Sequence, residues 1–227
     1  MTNYWICCVI TKNIWWRTMS KKLLFSTLLL LSPSLMASQV SLNYADFYAR
    51  MKVMNKGNYP LIDLAFTVPE TQNCQLINGS ISTETERFPL TFDASQRLFI
   101  PFDEKLKSAR ALINLELAGE GQSCGIGMQL RVRTPKQEYS GDELRNISNQ
   151  MNEALKQMQG FPMKYFAKPI SGLNIEFIGS ENGAWLDGRY QTIGKRHELS
   201  NEEISQIEVL KFDSAPAVIS PWVMPDN

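Results

Sequence analysis

Between Ile62 and Val132 apolar residues return at every second position in short runs. Ile62, Leu64, Phe66 and Val68 form one run, and Phe88, Leu90 and Phe92 a second. Ala111, Ile113, Leu115 and Leu117 form a third, and Cys124, Ile126, Met128, Leu130 and Val132 a fourth. A period of two places each set on one face of a β-strand. Shorter apolar runs lie at 74–81 and 98–102. Asn78-Gly79, Asp93-Ala94-Ser95 and Gly119-Glu120-Gly121 read as turns between the runs. Short strands with one packed and one solvated face predict an antiparallel, β-sandwich-like arrangement.

The period lengthens in two places. Residues 42–57 read as a helix capped by Asn43, with Phe47, Met51 and Met54 on one face. Ser140 to Gly160 is the clearest helix. Ser140 and Glu143 have the spacing of a capping box, and Leu144, Ile147, Met151, Leu155 and Met158 form one apolar stripe. Beyond it, Leu173, Ile175 and Phe177 alternate, Glu181-Asn182-Gly183 reads as a tight hairpin turn, and 184–190 as the partner strand of that hairpin. Ser200 and Glu203 repeat the capping-box spacing. The tail from Phe212 carries three prolines and Trp222 and reads as an extended segment. The fold class is α+β: a β-rich, sandwich-like domain over 38–137, then a helix and a smaller α+β part over 138–227. The break falls near Pro135–Ser140, and no internal repeat is visible in the residues.

The N-terminus reads as a targeting signal. Met19 to Ser38 sets Lys21 and Lys22 before a nine-residue apolar stretch, Leu23 to Leu31, closed by Ser32-Pro33 and small residues. Nine residues fall short of the ~20 needed to span a bilayer. Ala37 is the expected last signal residue and Ser38 the first mature one. Residues 1–18 resemble neither a signal n-region nor a domain, and translation is expected to start at Met19. Cleavage would remove Lys12, Arg17, Lys21 and Lys22 and no acid, leaving 19 basic against 23 acidic residues, a net charge of −4. A mildly acidic exported chain with no stable membrane span is a poor nucleic-acid binder. Only Cys74 and Cys124 survive cleavage, and in an oxidising compartment they are expected to pair. Two cysteines and one histidine are too few for a closed zinc site, so neither metal nor cofactor is expected.

The segments LNYADFYARMKVMNKGNYPLIDLAFTV, RFPLTFDASQRLFIPFDEKL and FDSAPAVISPWV resemble a family of exported gammaproteobacterial proteins of unknown function. The resemblance covers nearly all of the mature chain. It implies a periplasmic address and carries over no activity, cofactor or catalytic residue.

Chemistry-bearing residues are sparse. His197 lies in a polar stretch before the second capping box and reads as solvated rather than as a general base. No nucleophile elbow is present, and the adjacent carboxylates Glu202-Glu203 and Asp103-Glu104 diverge on a helix or strand. Trp185, Asp187 and Arg189 alternate within the expected strand and would share one face suited to a sugar, peptide or protein surface. Trp222 is a second such aromatic. These features favour a soluble binding or interaction module of the bacterial envelope, its partner a protein or glycan. A structural factor that stabilises an envelope partner is the alternative, and a metal-independent hydrolase of envelope polymer a third.

Overall fold

A computed structural model describes residues 37–69, 74–118 and 124–224. The signal-like stretch up to residue 36 and the Gly119-Glu120-Gly121 turn lie outside these residues. Nine elements come first: β1 (Ala37–Asn43), α1 (Tyr44–Gly57), β2 (Ile62–Thr67), β3 (Gln75–Ser82), β4 (Arg87–Pro89), β5 (Arg97–Leu98), α2 (Glu104–Ser108), β6 (Leu112–Ala118) and β7 (Gly127–Val132). Nine more strands and α-helices follow, with a single 3-10 turn (Met163–Tyr165) added between α3 and β9: β8 (Glu138–Ser140), α3 (Gly141–Gln159), β9 (Gly172–Glu176), β10 (Asn182–Leu186), β11 (Arg189–Ile193), β12 (Arg196–Ser200), α4 (Asn201–Gln206), β13 (Val209–Phe212) and β14 (Val218–Trp222). The molecule is α+β, with antiparallel strands in four sheets.

The second nine elements repeat the first. Both series run strand, helix, four strands, short helix, two strands. Sheet orders agree strand for strand: β1-β6-β3-β4 corresponds to β8-β13-β10-β11, and β5-β2-β7 to β12-β9-β14. The helix starts superimpose in register. Asn43 pairs with Leu112 and Ser140 with Val209; the next residue donates its N–H to the strand-leading carbonyl, Tyr44 to Ala111 at 3.0 Å and Gly141 to Glu208 at 2.7 Å. Gly141 is required there, because a Cβ would lie 1.9 Å from the Ile207 carbonyl oxygen. Like elements also meet across the boundary, α1 on α3 and β7 on β14, the like-with-like contact of a two-fold arrangement. The chain is therefore two copies of one nine-element unit within a single compact body. The sheets divide cleanly between Val132 and Glu138, while buried residues of both units join one hydrophobic core.

Local chemistry explains the elements. The central strand of each small sheet turns an alternating apolar face inward, Ile62, Leu64 and Phe66 in one and Leu173, Ile175 and Phe177 in the other. Phe47 of α1 meets Phe66 edge-on at 5.1 Å, and Phe177 meets Phe212 at 5.3 Å. Four residues of the α3 stripe (Leu144, Ile147, Met151 and Met158) are buried, with Leu155 half-buried. Ser200 and Glu203 form the complete capping box. At Ser140 only half of it forms: its hydroxyl accepts the Glu143 N–H, while the Glu143 carboxylate pairs with Lys136.

Two turn assignments are corrected. Asn78-Gly79 is no turn but the bulged middle of β3, where the Asn78 Oδ1 accepts the Gly79 N–H. The segment 184–190 is no single strand. Asp187 (φ +49°) and Gly188 (φ +81°) form a two-residue hairpin turn between β10 and β11, as an Asp-Gly pair favours. Glu181-Asn182-Gly183 correspondingly leads into β10 instead of forming a hairpin turn: β9 pairs with β12 and β14, and β10 lies in the other sheet.

Cys74 and Cys124 form a disulfide with a sequence separation of 50. It joins the approach to β3, in the large sheet of the first unit, to the approach to β7, in its small sheet. Closing such a loop lowers the entropy of the unfolded chain by about 4 kcal/mol. Beside it Gln96 is buried at positive φ. Its amide donates to the carbonyls of Cys74 and Val68, and its Oε1 accepts the Leu76 N–H. The second unit contains no cysteine.

Candidate functional site

The first unit holds an open cleft of about 740 Å³ between α1 and the segment that runs from β5 into α2. That segment carries the apolar run 98–102, only the start of which is strand. Phe99 to Phe102 leave the sheet, helped by Pro101, which has no N–H to give a ladder. The Tyr44 hydroxyl anchors the segment from below, donating to the Pro101 carbonyl at 2.6 Å and accepting the Asp103 N–H at 2.8 Å. Met51 and Met54 line the helix side, and Phe99 and Phe102 the opposite wall. Sequence reasoning placed both methionines on one helix face with Phe47. They are half-buried because the wall facing them stands off. Phe102 stacks on Tyr48 at 4.7 Å, and Lys107 lies 5.3 Å from the Tyr48 ring.

Charges gather at one end. Arg97 pairs with Asp63 at 2.7 Å and lies 5.6 Å over the Phe99 ring. Burial would raise the Asp93 carboxyl, but the Ser95 hydroxyl, the Arg97 and Ser95 N–H groups and the Arg97 charge hold it below its ordinary value. Arg131 faces Asp63 in register, and burial, reinforced by the Arg97 charge, lowers its pKa. Arg133 is exposed at the cleft and donates only to the carbonyls of Ile62 and Tyr59. It has no carboxylate partner among the described residues.

At the equivalent place in the second unit, between α3 and the start of α4, no segment corresponds to 99–103 and side-chain hydrogen bonds narrow the gap. Ser148 donates to Asn201 Oδ1 at 3.1 Å, and Asn201 Nδ2 donates to the Ile170 carbonyl at 2.6 Å. Asn152 accepts the Ile170 N–H at 2.7 Å, and Arg145 donates to the Ile204 carbonyl at 3.0 Å. About 240 Å³ remains.

The residues singled out in the sequence are dispersed. Trp185 is half-exposed and packs on Tyr190 at 5.0 Å, its partner in register. Arg189 pairs with Leu186 and so takes the opposite face of the hairpin: the Asp187-Gly188 turn breaks the alternation that would have joined them. The Asp187 carboxylate is committed to the N–H groups of Glu208 and Val209, at 2.9 and 2.8 Å. Trp222 lies in the small sheet, opposite Gly172 of β9. A hydrogen bond to Asp213 raises the Tyr190 pKa. His197 is half-buried rather than solvated. It sits within β12 opposite Ile175, its Nε2 is buried without a partner, and burial lowers its pKa against the opposing charges of Glu203 and Glu198. Among the described residues no cluster of three or more His, Cys, Asp or Glu could hold a metal ion.

No curated protein and no solved structure matches the chain significantly. One family model does match, over residues 36–177, which takes in the whole first unit with its cleft and enters the second as far as Phe177. The chain belongs to that family, described as protein of unknown function (DUF2987).

Proposed function

We propose that this chain is an exported protein of the bacterial envelope that works as a binding module, and that the cleft of the first unit is its ligand seat. One observation carries the reading: at equivalent places in one scaffold, side-chain hydrogen bonds join α3 to the start of α4 in the second unit, whereas in the first a segment that the second lacks, residues 99–103, walls an open cleft. The open copy combines adaptable methionines, aromatic walls and an uncompensated arginine, the mixture of an apolar pocket with a few orienting polar groups. The signal-like N-terminus and the Cys74–Cys124 bridge support an oxidising, extracytoplasmic address.

Native mass spectrometry of protein isolated from its own envelope fraction tests this. The expected species starts at Ser38, lacks two hydrogens for the disulfide and carries additional bound mass. Met54→Trp, which fills the cleft, should lose that mass and keep its melting temperature within a few degrees. Bound mass unchanged in Met54→Trp would refute the seat, and an uncleaved chain with free thiols would refute the address.

Trp185, half-exposed against Tyr190, favours a second reading, in which the protein stabilises an envelope partner held at the β10–β11 hairpin. Trp185→Ala should then release the partner while the cleft still fills.

A further inference from the structure

The two units differ most in the connection from the long helix to the small sheet. It takes residues 58–61 in the first and 160–171 in the second. The added length is aromatic and basic. Phe161 is 83% exposed, Tyr165 68% and Phe166 76%, with Met163 beside them. Phe161 and Tyr165 pack edge to face at 6.3 Å. Met163 and Phe166 line one hollow with Val223 and Met224, both also exposed, so the tail extends the same patch. Apolar surface concentrated in this way on a soluble fold marks an interaction site. Within the loop itself the charge has one sign. Residues 154–171 carry Lys156, Lys164 and Lys168 and no Asp or Glu, in a chain whose expected mature form is net acidic. Lys164 lies 5.1 Å from the Tyr165 ring.

We propose that this loop, with Val223 and Met224, is a peripheral attachment site for an anionic phospholipid surface. Phe161, Met163, Tyr165 and Phe166 enter the boundary between headgroups and acyl chains, where amphipathic rings partition favourably, and Lys156 and Lys164 meet the phosphates. Each such lysine is worth roughly fivefold in binding to an anionic membrane. Three rings more than two-thirds exposed on one loop, with Lys156 and Lys164 beside them, are complementary to a negatively charged bilayer rather than to a preformed apolar groove. Among the described residues no helix is long and apolar enough to cross a membrane. This site is separate from the cleft and does not depend on it.

Co-sedimentation of the mature chain with vesicles decides the matter. Binding is expected to vesicles of three parts phosphatidylcholine to one part phosphatidylglycerol, to weaken with salt, and to be at least fivefold tighter than to phosphatidylcholine alone. Phe161→Ser with Phe166→Ser should lower it at least tenfold without changing the melting temperature, since both rings are exposed. Lys164→Glu should weaken binding to the anionic vesicles only. A wild-type chain that stays in the supernatant, a double variant that binds equally well, or equal binding to both vesicle types overturns the proposal. So does a dimer in solution that the double variant abolishes while no vesicle binding occurs, because the patch would then serve a second copy of the chain.

Discussion

The two units share a scaffold and divide its tasks differently. The first is stapled by a disulfide and by the buried Gln96 amide, and its helix-to-loop groove stands open. The second has no covalent tie, but side-chain hydrogen bonds from Arg145, Ser148, Asn152 and Asn201 draw the same groove shut. An open cleft forgoes burial that would otherwise stabilise the fold. Constraining the unfolded chain elsewhere in the same unit offsets that loss. Stability and accessibility have therefore been separated within each copy, and the sites where they diverge are the candidate functional surfaces.

Breaking the covalent tie should have the largest effect. Cys74→Ser with Cys124→Ser is expected to lower stability by about 4 kcal/mol, and a domain of this size then melts roughly 8–16 °C lower. Calorimetry would show it. A change of only a degree or two would mean that the first unit does not depend on its staple.

Opening the second groove comes next. Asn201→Ala strands the Ile170 carbonyl and the Ser148 hydroxyl, at a cost of about 1–3 kcal/mol. Amide hydrogen exchange should accelerate in β12 and α4 and stay unchanged around β5. Uniform acceleration would contradict local closure by these bonds.

His197 gives a smaller, pH-dependent effect confined to the second unit. Its folded pKa lies below the ordinary imidazole value because burial disfavours the cation. The unfolded chain thus binds more protons, and the stability contribution is fully present above the unfolded pKa of about 6.5. It is lost as the pH falls through that value toward the folded pKa. Urea midpoints measured from pH 8 to 5 should fall in the wild type and flatten in His197→Phe. Parallel slopes would show that the histidine is not the group responsible.

The smallest effect on stability belongs to the cleft. Phe99→Ala removes a half-exposed ring and should change the melting temperature by about 1 °C while reducing ligand retention. A loss comparable to a core truncation would make the cleft wall structural.

Much of this was legible in the residues. The alternation in 62–68 and 111–117 located β2 and β6, the 3.6-residue stripe located α3, and the paired capping residues placed the start of α4. The redox argument identified the disulfide partners. The repetition was not legible, because the units share burial pattern and pairing rather than residue identity. Ile113 and Leu115 correspond in register to Leu210 and Phe212, but Ser80 corresponds to Trp185, and helix, loop and hairpin lengths all differ. The Trp185, Asp187 and Arg189 set was misread because an Asp-Gly turn lay inside an otherwise apolar run, and one turn reverses every facing beyond it. His197 was read as solvated from its charged neighbours. Strand pairing, a long-range property, set it opposite Ile175 and half-buried it.

The most direct test of an open first groove and a closed second one uses equivalent positions. Met51 and Ser148 each lie eight residues beyond their helix caps, Asn43 and Ser140. With the Cys74–Cys124 bridge intact, a bulky maleimide should modify Met51→Cys at least tenfold faster than Ser148→Cys. Equal rates, or a faster reaction at position 148, would contradict the assignment of the open groove to the first unit.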